Sequence, residues 1–304
     1  MESNIFKTSP ETEIHVNISR PSTRNEHVKS PLLVFLHYWG GSSATWYKLT
    51  SPNSGTSLNA DYPIMTIDFR GWGQSKGPTG GAATAEDYSV TPLASDIAST
   101  LTQLHRDTSH SALIYNGFVI IGHSMGGKVV LATLNCLSAD LLGLVKGLVL
   151  VAPAPPTPLI LPPDMSEQQR GAYNTEESVR WIAQNVLSSA EHLTDDDISI
   201  IVRDSLAGST LAKDGWILHG MREDISPILD SLASRPLAKK VKIQVLAGEL
   251  DVVEQKDRVE KEVVQSLTKK GFIVSFTVLK GLKHLIPLES PEAISQAISS
   301  VLSI

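Results

Sequence analysis

The chain has 304 residues, 41% of them hydrophobic and 19% charged, and a formal net charge of −6. This is ordinary globular composition, long enough to bury a core without metals or disulfides, and it excludes an intrinsically disordered chain. The acidic balance, with no dense Lys/Arg run, excludes the electrostatic footprint of a nucleic-acid or anionic-membrane binder, and the single cysteine, Cys136, excludes an intramolecular disulfide and a cysteine-rich zinc site.

Taken from the start, Met1–Val16 lacks a positive segment followed by a long apolar run, so no secretory signal is expected. Asn4–Thr8 and Glu13–Ser19 read as a hairpin pair, the second alternating in polarity through Ile14, Val16 and Ile18. Core strands follow at Leu32–Leu36, Ile64–Asp68, Phe118–Ile121, Leu148–Val151, Ile243–Ala247 and Ile273–Leu279. Helical stripes separate them. Leu93, Ile97, Leu101 and Leu104 form one, and Ile294, Ile298, Val301 and Leu302 another. The run after Ser124 is apolar nearly all round and predicts a central buried helix, on which Cys136 is read as a small buried hydrophobe. Alternating strands and helices predict an α/β protein with a mostly parallel sheet. The longest apolar runs, such as Leu148–Ala152, fall far short of the roughly 20 residues that span a bilayer, and the C terminus is not a peroxisomal address, which leaves the cytoplasm as the expected location.

One region breaks the alternation. From Pro153 the sequence PAPPTPLILPPD cannot continue a sheet, and helix signals dominate to about residue 235. Asn174 with Glu177 makes a capping-box-like start, Thr194 with Asp195, Asp196 and Asp197 opens a second helix, and a third holds Trp216, Ile217 and Met221. The expected division is a core of 1–153 and 236–304, interrupted by a helical cap over 154–235.

The chemistry concentrates at Gly122-His123-Ser124-Met125-Gly126, a G-x-S-x-G pattern between an apolar strand and a helix. That turn lifts a serine hydroxyl above the sheet and aims a free helix N-terminal amide at developing negative charge. A serine nucleophile needs a base, and the base needs orientation. Asp251 stands just past one strand end and His284 just past the next, and groups beyond the C-terminal ends of parallel strands converge on one crevice.

With His37-Tyr-Trp-Gly-Gly41, Asp68-Phe-Arg-Gly-Trp-Gly-Gln-Ser75, the elbow at Ser124, Asp251 and His284 in this order, the chain resembles the α/β-hydrolase superfamily over nearly its whole length. The resemblance implies an α/β-hydrolase fold with Ser124 as nucleophile, His284 as general base and acid, and Asp251 as orienting carboxylate. It also implies an oxyanion hole from the Met125 and Trp39 amides, and a helical cap after the sixth strand. Tyr38 departs from the family, which usually has glycine there; it either narrows the acyl pocket or supplies a donor. Serine at the elbow disfavours epoxide hydrolase and haloalkane dehalogenase chemistry, which use aspartate there. The long cap resembles those of small-molecule esterases, perhydrolases and carbon–carbon bond hydrolases, and Trp216 and Asp224 resemble positions near the cap exit in such relatives.

Other features carry plainer readings. His15, His27, His105, His110 and His192 are assigned solvated roles, His123 packing, and His37 a local hydrogen bond that holds its loop. The glycines of Gly71–Gly77 form a turn rather than a dinucleotide loop, since the spacing is wrong and no helix follows. Asp195–Asp197 answer a helix dipole rather than a metal. Trp181 and Met165 are read as cap core, while Trp216, Met221 and Tyr38 are candidates to line the substrate site. The function expected is a serine hydrolase of a small-molecule ester, with no cofactor, metal, nucleic-acid or membrane partner. The same triad could serve carbon–carbon bond hydrolysis, lyase or perhydrolase chemistry, or a ligand-sensing receptor.

Overall fold

Parallel strands need crossover connections and cover on both faces, and this chain meets both needs. A computed structural model describes residues 1–21, 30–235 and 240–303. Eight strands form one sheet in the order β1-β2-β4-β3-β5-β6-β7-β8. They are β1 (Glu2–Ser9), β2 (Thr12–Ser19), β3 (Leu32–Leu36), β4 (Ile64–Ile67), β5 (Phe118–His123), β6 (Val145–Val151), β7 (Lys242–Gly248) and β8 (Ile273–Leu279). β1 and β2 pair antiparallel as the hairpin, β2 meets β4 antiparallel, and the remaining pairs are parallel. Every residue of β3, β4 and β5 is buried, as central parallel strands require.

Alternate side chains feed two cores. Leu32, Val34 and Leu36 join one with the stripe of α1 (Val90–Arg106) and with α2 (Met125–Cys136). Leu33 and Phe35 face the other, with Trp46, Leu49 and the stripe of Ile294, Ile298 and Val301. Among the described residues, the chain between β6 and β7 forms no strand. Its helices include α3 (Pro163–Arg170), α4 (Glu176–Ile182), α5 (Asp195–Ala207), α6 (Thr210–Gly215) and α7 (Ser226–Ala233). The chain closes on α8 (Pro291–Leu302).

Several local expectations are corrected. Thr175, not Asn174, caps α4, its side chain accepting from Ser178 N–H. Thr194 does cap α5 in a reciprocal box with Asp197, but Asp197 is fully buried and also accepts from Tyr47 and Lys48, so it ties the insertion to the core as well as serving the helix start. Cys136 is exposed, because the last turn of α2 places Leu134 and Leu137 inward and Asn135 and Cys136 toward solvent. His15 is buried rather than solvated, because β2 lies inside the sheet; its ring meets Asp68 Oδ2 at 2.9 Å and Ser3 Oγ at 2.8 Å. His110 is also buried, against Asp107, and His192 bonds Glu289, whereas His27 lies outside the described residues. Trp181 and Met165 lie on the outer faces of α4 and α3, 60% and 46% exposed, and so are not core.

Candidate active site

The elbow is a backbone construction. β5 ends at His123, and Ser124 takes φ 54° and ψ −116°, in a region that side-chain-bearing residues rarely occupy, before α2 begins at Met125. Ser124 N–H donates to Val151 O at 2.9 Å, and Ser124 O accepts from Gly127 N–H and Ala154 N–H, so both neighbouring segments hold the turn. The pattern's last glycine is sterically required: a Cβ on Gly126 would stand 2.5 Å from the carbonyl oxygens of Leu36 and His37. Strain of this kind costs about 1–3 kcal/mol and persists where the surroundings over-determine the conformation.

The structure places Asp251 and His284 after the C-terminal ends of β7 and β8, beyond the same sheet edge as Ser124. His284 Nδ1 meets Asp251 Oδ2 at 2.7 Å, and both residues are buried. Asp251 Oδ1 accepts from Val253 N–H and Glu254 N–H at 2.8 and 3.0 Å, which fixes the carboxylate. Burial alone would lower the His284 pKa, but the charge and hydrogen bond of Asp251, with the charges of Glu254 and Glu289, outweigh it and raise the pKa above 6.5. Asp251 on Nδ1 leaves Nε2 as the free ring nitrogen. Among the described residues no hydrogen bond joins Ser124 Oγ to His284 Nε2. In empty active sites such bonds are often long and tighten with substrate.

His123 does more than pack. Its Nε2 donates to His284 O at 2.8 Å, and its ring lies 5.0 Å from that of His284, so the residue before Ser124 holds the turn that carries His284. Burial first, then the neighbouring His284, pushes the His123 pKa well down, so it is a neutral donor. His37 holds its loop as expected, with Nε2 accepting from Phe69 N–H at 3.0 Å and Nδ1–H donating to Tyr38 O at 2.7 Å. The backbone N–H groups of Met125 and Trp39 donate to no acceptor among the described residues.

Tyr38 is buried with its ring 5.1 Å from His123, and its hydroxyl faces Ser205 of the insertion. Trp216 and Met221 line a cleft with Lys128, Ala154, Glu254 and Arg258, in which about 10 Å³ is open to a water's centre, room for one water. Lys128 and Glu254 are both buried. Burial pushes Lys128 down to about 8, against the pull of Glu223, Glu254 and Asp224. Burial likewise pushes Glu254 up to about 8, offset in part by Arg258, His284 and Lys128. Asp224, by contrast, accepts from Ser226 N–H, one residue before Pro227, in the first turn of α7.

A family model described as "Alpha/beta hydrolase family" matches residues 33–297. Among solved structures the chain is similar to an esterase from Exiguobacterium antarcticum (18% identity, TM-score 0.75, covering 99% of this chain and 100% of that one). It is similar also to a bromoperoxidase from Bacillus anthracis (15% identity, TM-score 0.75, 99% of each chain) and to an enol-lactonase from Burkholderia xenovorans LB400 (15%, TM-score 0.68, 96% of each). A curated Arabidopsis thaliana protein, "Probable lysophospholipase BODYGUARD 1", is 27% identical over 146 residues, which is 48% of this chain and 27% of that protein. The matched stretch thus spans about a quarter of that relative's length. With the model matched from β3 through the elbow and both downstream turns, the chain belongs to the alpha/beta hydrolase family.

Proposed function

We propose that the protein is a serine hydrolase that cleaves a small-molecule ester through Ser124, His284 and Asp251. Ser124 Oγ attacks the carbonyl carbon while His284 Nε2 takes its proton. The carbonyl oxygen, now negative, rests on the Met125 and Trp39 N–H groups. Collapse expels the alcohol, protonated by His284, and leaves an acyl-Ser124 ester. Water, deprotonated by His284, then releases the acid and regenerates the serine. Asp251 fixes the tautomer and steadies the imidazolium at each proton transfer. The observation that carries this reading is the buried 2.7 Å contact of His284 Nδ1 with Asp251 Oδ2, which leaves Nε2 alone to serve as base. The helices between β6 and β7 act as a cap. Among the described residues no helix is long and apolar enough to cross a membrane, and we place the enzyme in the cytoplasm with a diffusible substrate.

The test is turnover of a chain-length series of p-nitrophenyl esters by the wild type and by Ser124→Ala and His284→Ala. The wild type is expected to turn over short esters, with both variants inactive and folded. Turnover retained by either variant contradicts the assignment. Product analysis on β-diketones and on acids with peroxide separates ester hydrolysis from the other reactions this triad can run.

A further inference from the structure

The loop that carries Trp39 is fastened by two different parts of the chain. Its ends belong to the core: His37 is locked by Phe69 N–H, and Ser43 N–H donates to Asp68 Oδ1 at 2.6 Å. The Tyr38–Trp39 peptide is planar and trans, so its C=O and N–H point in opposite directions. Tyr38 O is held by His37 Nδ1–H at 2.7 Å and Gly41 N–H at 3.0 Å, which sets the direction of Trp39 N–H.

The middle of the loop belongs to the insertion. Trp39 O accepts from Tyr173 OH at 3.1 Å, and Gly40 O accepts from Ser205 Oγ at 2.9 Å. The Trp39 indole donates to Lys213 O at 3.1 Å, and Ser42 Oγ donates to Asp204 Oδ2 at 2.5 Å. Packing reinforces the bonds, with the Trp39 and Tyr173 rings 4.2 Å apart. Gly40 has φ +97°, and a Cβ there would stand 2.4 Å from Tyr173 Cε2, so the loop fits the insertion only as glycine. Burial raises the Tyr173 pKa, which keeps the phenol neutral and donating. The turn that carries His284 is seated on the same insertion, His284 N–H and Leu285 N–H both donating to Leu187 O at 2.9 Å.

We propose that Tyr173 and Ser205 are positioning residues for the oxyanion hole: by holding the carbonyls of Trp39 and Gly40, the inserted helices complete the site, and lifting them takes it apart. This rests on the proposed serine hydrolase. It also gives Tyr38 a role that glycine could not fill, a side chain wedged in the seam with its ring on His123 and its hydroxyl facing Ser205.

Tyr173→Phe and Ser205→Ala remove one seam bond each without touching Ser124, His284 or Asp251. The measurements are kcat and KM on a short p-nitrophenyl ester, affinity for an alkylboronic acid, affinity for the product carboxylic acid, and Tm. A boronic acid on Ser124 places an oxygen where the oxyanion forms, whereas the product acid does not form that adduct. Loss of a donor outright costs on the order of 10²–10³, so a displaced one is expected to lower kcat by roughly 10- to 100-fold. KM is expected within about threefold, boronic-acid affinity to fall in step with kcat, and product-acid affinity to hold. Val179→Ala, a buried change in α4 that removes none of the loop's hydrogen bonds, is expected to lower Tm with kcat unchanged. The inference is overturned if the seam variants keep kcat and boronic-acid affinity whatever their Tm, if the loss lies in KM alone, or if Val179→Ala lowers kcat as much. Ser124→Ala separates the two readings. If it keeps wild-type turnover, the proposed function fails and takes this inference with it. If it is inactive while the seam variants are unimpaired, only the inference fails.

Discussion

The elbow at Ser124 and the loop at Trp39 lie at the same edge of the sheet, yet they are held by different means. The elbow is built from neighbours in the sheet: backbone bonds to Val151, Ala154 and Gly127, with Gly126 pressed against the carbonyls of Leu36 and His37. The middle of the loop is held by the side chains of residues 173, 204 and 205 and by the backbone carbonyl of residue 213, all more than 130 positions away in sequence. The proposed nucleophile is held mostly by the core, and the insertion adds one bond, from its first residue, Ala154. The proposed oxyanion donor at Trp39 is braced by both the core and the insertion, and keeps its full set of bonds only while the insertion is seated. The difference suits an enzyme whose chemistry must be exact only once substrate is enclosed.

The largest effects are expected at the elbow and its partners. Ser124→Ala and His284→Ala are expected to lower kcat by about 10⁵–10⁶ with the far-UV CD spectrum unchanged. Asp251→Asn is expected to cost about 10⁴ in kcat, through the wrong tautomer. It also moves the pH profile. The acid limb of kcat/KM follows His284, whose pKa is raised above 6.5, so the wild-type limb is expected above that pH and the variant's below the wild type's. The sign for stability is the same: a raised histidine pKa contributes stability that is full below about pH 6.5 and is lost as pH rises through the folded value. Urea titrations of the two proteins across that window are expected to diverge at low pH and converge above it.

Gly126→Ala sharpens the contrast from the side of stability. Its added methyl meets backbone on two residues that cannot yield independently, so a cost of about 1–3 kcal/mol is expected in urea unfolding. The smallest effect is expected at Glu249. This carboxylate, two residues before Asp251, is exposed and accepts from Gly281 N–H. Glu249→Gln is expected to leave kcat within about twofold, as surface changes remote from the chemistry do.

What was legible in the sequence follows the same division. The strands were readable because a parallel strand buried on both faces is an unbroken apolar run, as at Leu32–Leu36 and Phe118–Ile121. Ser124, Asp251 and His284 were readable because each sits at a fixed short distance past a strand end, a local signal. The seam was not: nothing near Tyr173 or Ser205 marks them as partners of a loop at residue 40, since that pairing exists only once the chain has folded back. Burial of single polar residues was equally hidden. His15 and Asp197 have the residue types of the surface, and only the sheet order and the tie to Lys48 bring them inside. Cys136 erred the other way, since periodicity cannot say where a buried helix outruns its cover.

If Ser124 is the nucleophile of this fold, a reagent that captures activated serines lands on it. The protein is treated with a fluorophosphonate probe, its intact mass is measured, and the modified peptide is mapped. One adduct per chain is expected on Ser124, with esterase activity lost in proportion and labelling absent in Ser124→Ala. An active enzyme that resists the probe, or labelling that maps to another residue while activity falls, would contradict that role for Ser124.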